Sequence, residues 1–499
     1  MTLPLVNDAK SLADRLDRAV TLDNACLSDC MDDDLRMLRR LGARLVGRAA
    51  HVWKPTRSDE AHFELAARFA RRVHTEVDAD VVVQAAIFEV IYPQVEEIEV
   101  PGWVFEVLGE KAERRRFRFE AMWSDLGMSA DQSPNWAGGG RVPDLTRAEA
   151  RRWVIYRAGR YLDAGYEGLH LGQIHMIGAR DVGFGIVAEL CERIREMARM
   201  RARRGVVLLD AHSHGIVRGG KCLFDFASRP LSGRARLNDP VREDLILQWK
   251  DGCPGGEHPG GWYAERYPTL VEVDNWGGRT WPIESWADRE GRAGNSRWGR
   301  DDVTWFAWQS DEVRAEFLKY AYRFHRAAGV HFQMPLARTL GNDPQSARPC
   351  GGLYYRANLP SEACPDGWGD EEVVAALWGE SAPKLPARPA PSDLVKLPGP
   401  VVLLGEIQRE LGGVPGDTVC PFSQLIPVAG AICERLLVLP RAGEHRFHIA
   451  IGGTRTEPLG QAMSHGGPPW CIVTESPGEA VFVRFDYQNR TFEIERMMA

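Results

Sequence analysis

Three polar side chains at alternate positions follow an apolar run in the middle of the chain. The stretch 206–214 reads VVLLDAHSH and carries Asp210, His212 and His214. Alternate residues of a β-strand point to the same face, so we expect these three side chains on one side of a strand. A carboxylate and two imidazoles on one face can transfer protons or bind a divalent metal ion. The stretch is therefore the first candidate for a functional site.

Other apolar runs end in similar groups. Together the candidate side chains near the ends of these runs are Glu89, His170, Gln173, Asp210, His212, Asp225, Glu272 and Asp274. Unbroken apolar runs are typical of buried parallel strands, and the functional groups of α/β barrels lie where such strands end. Burying many ionisable groups is costly unless they pair with each other or serve a ligand. We therefore predict that these groups converge at one mouth of a barrel.

The order of the strand-like and helix-like stretches predicts the fold. The strand candidates are 43–53, 80–90, 166–174, 205–212, 222–228, 268–276, 303–308 and 330–335. Helical periodicity separates several of them, at 58–77, 146–163, 183–203 and 311–328. This alternation predicts an α/β protein with a (β/α)8 TIM-like barrel, interrupted by an inserted segment at 91–145. A doubly wound sheet competes, but the first strand candidate lacks the glycine-rich phosphate loop typical of that fold.

Changes in composition predict the domain boundaries. We expect an N-terminal helical segment at 1–42 and the barrel with its insertions at 43–380. The stretch 381–400 contains six prolines and is typical of a stiff linker. The short alternating runs that follow predict a small C-terminal antiparallel β domain at 401–499, with a hairpin near 488–489.

Composition limits the classes of function. The chain has 499 residues, 44% of them hydrophobic, and a net charge of −7, which fits a globular protein and argues against nucleic acid as a partner. The chain has no run of about 18 apolar residues and no basic leader, so we predict no membrane partner and a cytoplasmic location. The ten cysteines are scattered without a C-x-x-C pair, which predicts neither a disulfide framework nor a zinc site. We predict no cofactor.

Tryptophan is concentrated in one region. Eight of the sixteen tryptophans lie between Trp249 and Trp308, among many glycines and prolines. Large rings in loops can stack on a ligand or can pack the loops onto the protein body, and both interpretations stay open. The predicted substrate-binding residues are His170, Gln173, His212, Asp225, Asn275, Trp276 and Trp308.

In layout, the chain resembles the TIM-barrel glycoside hydrolases over about 43–335. The features that carry the resemblance are the strand-end carboxylates and the tryptophan-rich loops, without a specific family motif. In the large retaining clan the acid follows an asparagine on the fourth strand, whereas the fourth strand candidate here reads Leu-Asp-Ala-His. The resemblance implies cleavage of a glycosidic bond in a small-molecule or oligosaccharide substrate. That reaction requires one protonated and one ionised carboxyl group.

We predict Asp210 and Glu272 as the catalytic pair, with Asp274 and Glu89 as substitutes. Glu272 and Asp274 share one strand face. We expect their repulsion to raise the pKa of one of them, which would supply the protonated acid.

Two other functions remain as alternatives. The stretch LLDAHSHG resembles the His-x-His strand of the amidohydrolase superfamily, whose two histidines bind a divalent metal, and Asp274 could complete such a site with His212 and His214. In that superfamily the motif lies on the first barrel strand, whereas three strand candidates precede it here, so we predict that activity needs no metal. The other alternative is a non-catalytic carbohydrate-binding protein, which has little need of so many convergent ionisable groups.

Overall fold

Eight parallel strands close into a barrel. The computed structural model describes residue 6 and residues 8–124, 139–235, 245–248, 253–275, 301–340, 354–380, 393–453 and 458–497. The barrel strands are β1 (Ala19–Leu22), β2 (Leu45–His51), β3 (Val82–Ala86), β4 (Gly168–Gln173), β5 (Leu208–His212), β6 (Phe226–Pro230), β7 (Thr269–Glu272) and β8 (His331–Thr339). Each strand pairs in parallel with the next, and β1 also pairs with β8. The predicted (β/α)8 TIM-like barrel is therefore confirmed.

Helices surround most of this ring. Among the described residues up to 378, the α-helices are α1 (Ala9–Leu16), α2 (Met31–Leu41), α3 (Asp59–Arg72), α4 (Gly102–Val107), α5 (Ala148–Asp163), α6 (Ile174–Ile177), α7 (Gly185–Arg201), α8 (Asp302–Ala307), α9 (Asp311–Ala327) and α10 (Glu371–Trp378). Their apolar faces and the outward-facing strand residues form the main core. The connection from β5 to β6, which the structure describes throughout, has a short hairpin instead of a helix, formed by Val217–Arg218 and Lys221–Cys222.

The predicted start of the barrel is wrong. The first strand is Ala19–Leu22, inside the segment that was expected to be helical, and it pairs with both β2 and β8. A four-residue strand between helical stretches has too little periodicity to be recognised locally. Because this strand was missed, the stretch with Asp210 and His212 belongs to the fifth strand rather than the fourth.

The strand predicted at 303–308 is also wrong. These residues fall in and just after α8, because the side chain of Asp301 accepts a hydrogen bond from the backbone N–H of Thr304 at 2.7 Å and caps a helix there. The β-branched and aromatic residues that favoured a strand are instead buried on this short helix.

An apolar plug closes the amino-terminal end of the barrel. Leu12 and Leu16 of α1 pack against inward-facing residues at the starts of the strands, namely Ala19, Leu45, Val82, Leu208, Phe226 and Leu270. With this end filled by apolar side chains, the polar residues of the interior lie toward the carboxyl ends of the strands.

A separate antiparallel sheet follows the barrel, as predicted. The short strand β9 (Tyr354–Arg356) precedes this sheet in the chain and is not part of it. The strands of the separate sheet are β10 (Val401–Leu404), β11 (Gln424–Ala429), β12 (Ile432–Leu439), β13 (Gly443–Ile451), β14 (Trp470–Thr474), β15 (Glu479–Asp486) and β16 (Thr491–Met497), and a short helix, α11 (Ile407–Glu410), follows β10. The hairpin predicted near 488–489 joins β15 and β16. Residues 381–392 of the predicted linker lie outside the described residues.

The sheet docks against α9. Arg323 donates hydrogen bonds to the hydroxyl of Ser476 and the carbonyl oxygen of Pro477, and Val438 and Ala480 join the main core. The sheet is therefore attached by apolar packing as well as by polar contacts. None of the described helices is both long and apolar enough to cross a membrane.

Candidate functional site

A buried arginine on β2 organises the charged side chains at the barrel mouth. The register between β2 and β3 shifts between Val46 and Ala50, and Arg48 in this bulge has a φ of 55°. The left-handed conformation is unfavourable for a residue with a side chain, so the surrounding structure must hold it. Arg48 donates hydrogen bonds to Glu272 Oε1 at 2.6 Å and to Asp274 Oδ1 at 2.9 Å.

Arg338 on β8 binds the same two carboxylates. Its Nη2 donates to Asp274 Oδ1 at 2.7 Å, and its Nη1 lies 3.3 Å from Glu272 Oε2. All four side chains are buried. Buried charges are tolerated when they are paired and hydrogen-bonded in this way. Each of the two acids, Glu272 and Asp274, therefore contacts both guanidinium groups, and the four formal charges cancel.

These contacts set the ionisation of the two acids. Burial by itself would raise the pKa of Glu272, but the charge of Arg48 and the hydrogen bond from His212 lower it to about 2, despite the nearby negative charge of Asp274. The pKa of Asp274 is likewise held well below its usual range, because Arg48 and Arg338 outweigh its burial. The expectation that repulsion raises the pKa of one of the pair is wrong, since it took no account of the two arginines.

His212 completes this charged cluster. Its Nε2 lies 2.7 Å from Glu272 Oε1 and 3.0 Å from Arg48 Nη2. Burial lowers the pKa of His212, but the hydrogen bond to Glu272 and the charge of Asp274 raise it above its ordinary value. His214, two residues further on, is exposed and lies 3.3 Å from Arg229. Among the described residues, the group of possible metal ligands that contains His212 consists of Glu272 and Asp274 and does not include His214.

Asp210 forms a second group, inside the barrel. Its Oδ1 accepts a hydrogen bond from Gln84 at 2.6 Å, and its Oδ2 accepts one from Ser228 at 2.6 Å and lies 2.7 Å from His170 Nδ1. Among the described residues, the other ring nitrogen of His170 has no hydrogen-bond partner. The ring centroids of His170 and His212 are 4.8 Å apart. Both oxygens of Asp210 are thus engaged by the barrel's own side chains.

Glu89 follows β3 and is buried at the end of β4. Its Oε1 accepts a hydrogen bond from the side chain of Gln173 at 3.0 Å, and its Oε2 accepts one from the Gln173 backbone at 3.1 Å. In the closed ring of eight strands, β3 and β7 are four steps apart in either direction. Glu89 and Glu272 therefore belong to opposite sides of the mouth.

Of two further predicted substrate-binding residues, Asp225 and Asn275, only Asn275 lies at the barrel mouth. Asp225 precedes β6, at the amino end of that strand, and accepts hydrogen bonds from the Leu209 backbone and Arg195. Its predicted place at the mouth is wrong, because the strand begins at Phe226 rather than at residue 222. Asn275 does lie at the mouth, where its Oδ1 accepts a hydrogen bond from Arg338 at 3.1 Å.

The tryptophans that the structure describes in the 249–308 region pack against the protein. Trp262 stacks on His258 with 4.1 Å between ring centroids and contacts the apolar plug at the amino end. Trp305 is buried and Trp308 packs against the main core. Trp276 lies outside the described residues. For the described tryptophans, the packing interpretation is the correct one.

Sequence reasoning missed both arginines of the cluster, as well as Gln84 and Ser228. A signal was present, because Arg48 stands in the apolar stretch LVGRAAH and Arg338 in MPLART. A charge inside a buried strand requires an opposite charge nearby. The two arginines could therefore have been matched to the acids of the 268–276 run.

A cavity of about 900 Å³ opens beside the mouth. It lies between the connection from β2 to α3, the segment after β3, and α5. Phe88 forms its boundary with the charged cluster, because its ring lies 5.5 Å from the Arg48 guanidinium and 6.0 Å from the His170 ring. On the cavity side, the ring of Trp53 lies 5.3 Å from Phe88.

Within the part of the chain that the structure describes, one set of donors could hold a metal ion. Ligand atoms of His212, Glu272 and Asp274 lie within 4.8 Å of one another. However, Arg48 and Arg338 already bind the two carboxylates, and a cation between them would have to compete with two guanidinium groups. The donor set is therefore a poor fit for a resident metal ion.

Comparison with known proteins gives little further information. No protein-family model matches the chain, and no curated protein matches it. The chain is similar to two solved structures of a debranching enzyme from Nostoc punctiforme, one of them in its native form. In each case the identity is 12%, the alignment covers 90% of this chain and 87% of that chain, and the TM-score is 0.37.

Proposed function

We propose that this protein hydrolyses glycosidic bonds and that Glu272 is its ionised catalytic carboxylate. The observation that carries the proposal is the environment of Glu272 at the end of β7, where Arg48 and His212 both contact Oε1 and hold the pKa at about 2. Glycoside hydrolysis requires a carboxylate that stays ionised while a second carboxyl group exchanges a proton with the leaving group or with water.

The second carboxyl group in this proposal is Glu89 rather than Asp210. Glu89 and Glu272 come from opposite sides of the strand ring, so a substrate in the mouth would lie between them. Asp210 lies within β5, two residues before the strand ends, whereas Glu272 is the last residue of β7 and Glu89 follows β3. Asp274 is bound by the same two arginines as Glu272. Asp210 and Asp274 are assigned to positioning and charge balance.

A substrate screen with matched variants tests this proposal. Aryl glycosides and neutral oligosaccharides are incubated with the wild type, Glu272→Gln, Glu89→Gln and Asp210→Asn. We expect Glu272→Gln to lower kcat by several orders of magnitude for every substrate. Glu89→Gln should lower kcat by about 10²- to 10⁴-fold for oligosaccharides and less for aryl glycosides, whose leaving groups need no proton.

Two results would contradict the assignment. If an activity is found and both glutamate variants keep near-wild-type turnover, neither residue is catalytic. If Asp210→Asn is folded to the same extent as the wild type and loses more turnover than Glu89→Gln, the second carboxyl group is Asp210. Binding of sugars without turnover of any of them would instead support a non-catalytic carbohydrate-binding protein.

A metal-dependent hydrolase is the second candidate, favoured by the proximity of His212, Glu272 and Asp274. Elemental analysis of the purified protein tests it directly. Stoichiometric zinc or a similar ion that is lost in His212→Ala would support this candidate. A metal content well below stoichiometric, unchanged by the substitution, would exclude it for this cluster.

A further inference from the structure

We infer that the cavity beside the barrel mouth binds an uncharged sugar unit of the substrate. The inference rests on the proposed function and adds a binding site to it. We call this cavity the mouth cavity. The aromatic rings that line it are those of Trp53, Phe88, Tyr92, Trp153 and Tyr156. Its volume of about 900 Å³ falls within the usual range for small-molecule sites, about 300–1,000 Å³.

The charges around the cavity point to an uncharged ligand. Four basic and four acidic side chains line it: Lys54, Arg57, Arg157, Arg160, Asp59, Glu60, Glu97 and Glu99. Two opposite pairs are formed within the wall, Arg157 with Asp59 and Arg160 with Glu60, the latter at 2.8 Å. Because the formal charges cancel, a ligand with a net charge of either sign would gain little from the cavity as a whole.

Two histidines line the cavity. His51 Nε2 lies 2.8 Å from Asp23 Oδ1, and His62 adds no charge near neutral pH. Burial and the nearby charge of Arg157 lower the pKa of His62 to about 2. Its Nε2 lies 2.9 Å from the hydroxyl of Tyr161. His62 is therefore uncharged in the folded protein near neutral pH.

The surface of the cavity combines aromatic rings with polar side chains. Trp53 is 36% exposed, although it also contacts Phe88, so part of the indole remains accessible to a ligand. Thr56 and Gln94 line the same cavity and are exposed. The C–H face of a sugar ring packs on an aromatic side chain, and its hydroxyls need hydrogen-bond partners at the edges. A purely apolar ligand would leave these polar groups unused.

Phe88 connects the cavity to the proposed reaction site. Its ring lines the cavity and also contacts Arg48 and His170. The next residue is Glu89, the proposed second carboxyl group. If one sugar unit of an oligosaccharide is held in the cavity, the next sugar unit would extend past Phe88 into the mouth, between Glu89 and Glu272.

Binding measurements on the full-length Glu272→Gln protein separate binding from hydrolysis. Isothermal titration is performed with ligands of three charge classes: neutral oligosaccharides of glucose, xylose and mannose, an acidic oligogalacturonate, and a cationic chitosan oligomer. We expect a neutral oligosaccharide to bind, with a Kd that changes little as salt is raised, and the charged oligomers to bind more weakly.

Substitutions at Trp53 locate the site. Adding Trp53→Ala to the Glu272→Gln protein should weaken neutral oligosaccharide binding by about tenfold, the loss expected for one stacked ring, whereas Trp53→Phe should retain most of the affinity. Tyr263→Ala is the matched control, because Tyr263 is 72% exposed and does not line the cavity. It should leave the affinity unchanged.

The outcomes distinguish this inference from the proposed function. If no neutral oligosaccharide binds, if a charged oligomer binds more tightly, or if Trp53→Ala has no more effect than Tyr263→Ala, the cavity inference is wrong. If Trp53→Ala weakens binding but the wild type cleaves none of the bound sugars, the cavity inference holds and the proposed hydrolysis fails. If the wild type cleaves a substrate and Trp53→Ala leaves both Kd and KM unchanged, the hydrolysis stands and the cavity assignment fails.

Discussion

Nη2 of Arg48 lies 2.6 Å from Oε1 of Glu272, although 224 positions separate the two residues in the chain. Both side chains are buried, Arg48 in the bulge of β2 and Glu272 at the end of β7. The contact joins β2 to β7 across the barrel interior. The positive charge of Arg48 favours the ionised form of Glu272, the proposed catalytic carboxylate, and Arg48 itself stays protonated.

Removal of Arg48 is expected to affect both ionisation and stability. In Arg48→Gln, the pKa of Glu272 should rise, because burial and the charge of Asp274 then act with less opposition. The acidic limb of the pH dependence of kcat/KM should move to higher pH. The free energy of unfolding should fall by about 3–5 kcal/mol, as for other broken buried ion pairs.

A surface arginine provides the control for this experiment. Arg446 pairs with Glu444 on the C-terminal sheet, where both side chains are more than half exposed. Arg446→Gln should change neither the pH profile nor the unfolding midpoint measurably. An unchanged acidic limb in Arg48→Gln would show that Arg48 does not set the ionisation of the catalytic group.

His212 should make stability depend on pH near and above neutrality. Its pKa in the folded protein is raised above the ordinary value of 6.5, so the stabilisation is fully present below about pH 6.5 and is lost as pH rises through the folded value. The difference in unfolding free energy between the wild type and His212→Gln should therefore shrink as the pH is raised above about 6.5. Urea unfolding at a series of pH values measures it.

His62 is the matched control for His212. It is buried too, but its pKa is lowered to about 2, so it stays neutral throughout this pH range. The difference between the wild type and His62→Gln should be constant with pH. A similarly constant difference for His212→Gln would mean that His212 is not protonated in the folded protein.

Asp210→Asn should mainly reduce stability. The amide nitrogen of asparagine would face donors, because the two carboxylate oxygens accept hydrogen bonds from Gln84 and Ser228. We expect a loss of about 1.5–3 kcal/mol in the free energy of unfolding by urea denaturation. Asp366→Asn, at an exposed site, should have no such effect. Unchanged stability of Asp210→Asn would be inconsistent with a structural role for this carboxylate.

The contact between the barrel and the C-terminal sheet can be tested at Gly478. A Cβ at this position would lie 2.8 Å from the Cα of Tyr320 in α9, and the φ of Gly478 is +80°. Gly466 has a similar φ of +67° but open space around it. Gly466→Ala should therefore show the cost of backbone strain alone, about 1–2 kcal/mol.

Gly478→Ala should cost more than Gly466→Ala, and its C-terminal sheet should be released earlier in limited proteolysis. The additional effect would come from the clash with α9. Equal melting temperatures and equal proteolysis rates for the two variants would show that this contact does not hold the sheet to the barrel.

Much of the fold was predictable from local pattern. Parallel strands such as Leu208–His212 continue an apolar run, here one that starts at Val206, and the surrounding helices have an apolar stripe, so both are visible in the sequence pattern. The predictions failed where periodicity was too short or misleading. Ala19–Leu22 has only four residues, and its identity as a strand depends on pairing with β2 and β8.

The candidate site was predictable only as a set of acids and histidines near strand ends. The sequence by itself determined that Glu89, Asp210, His212, Glu272 and Asp274 would gather around the barrel, because strand faces and strand ends are local properties. Their ionisation was decided by the tertiary structure. Closure of the barrel brings Arg48 and Arg338 into contact with Glu272 and Asp274. The pKa of a carboxyl group depends on its burial and on its distances in space to other charges, and neither can be read from the spacing of residues along the chain.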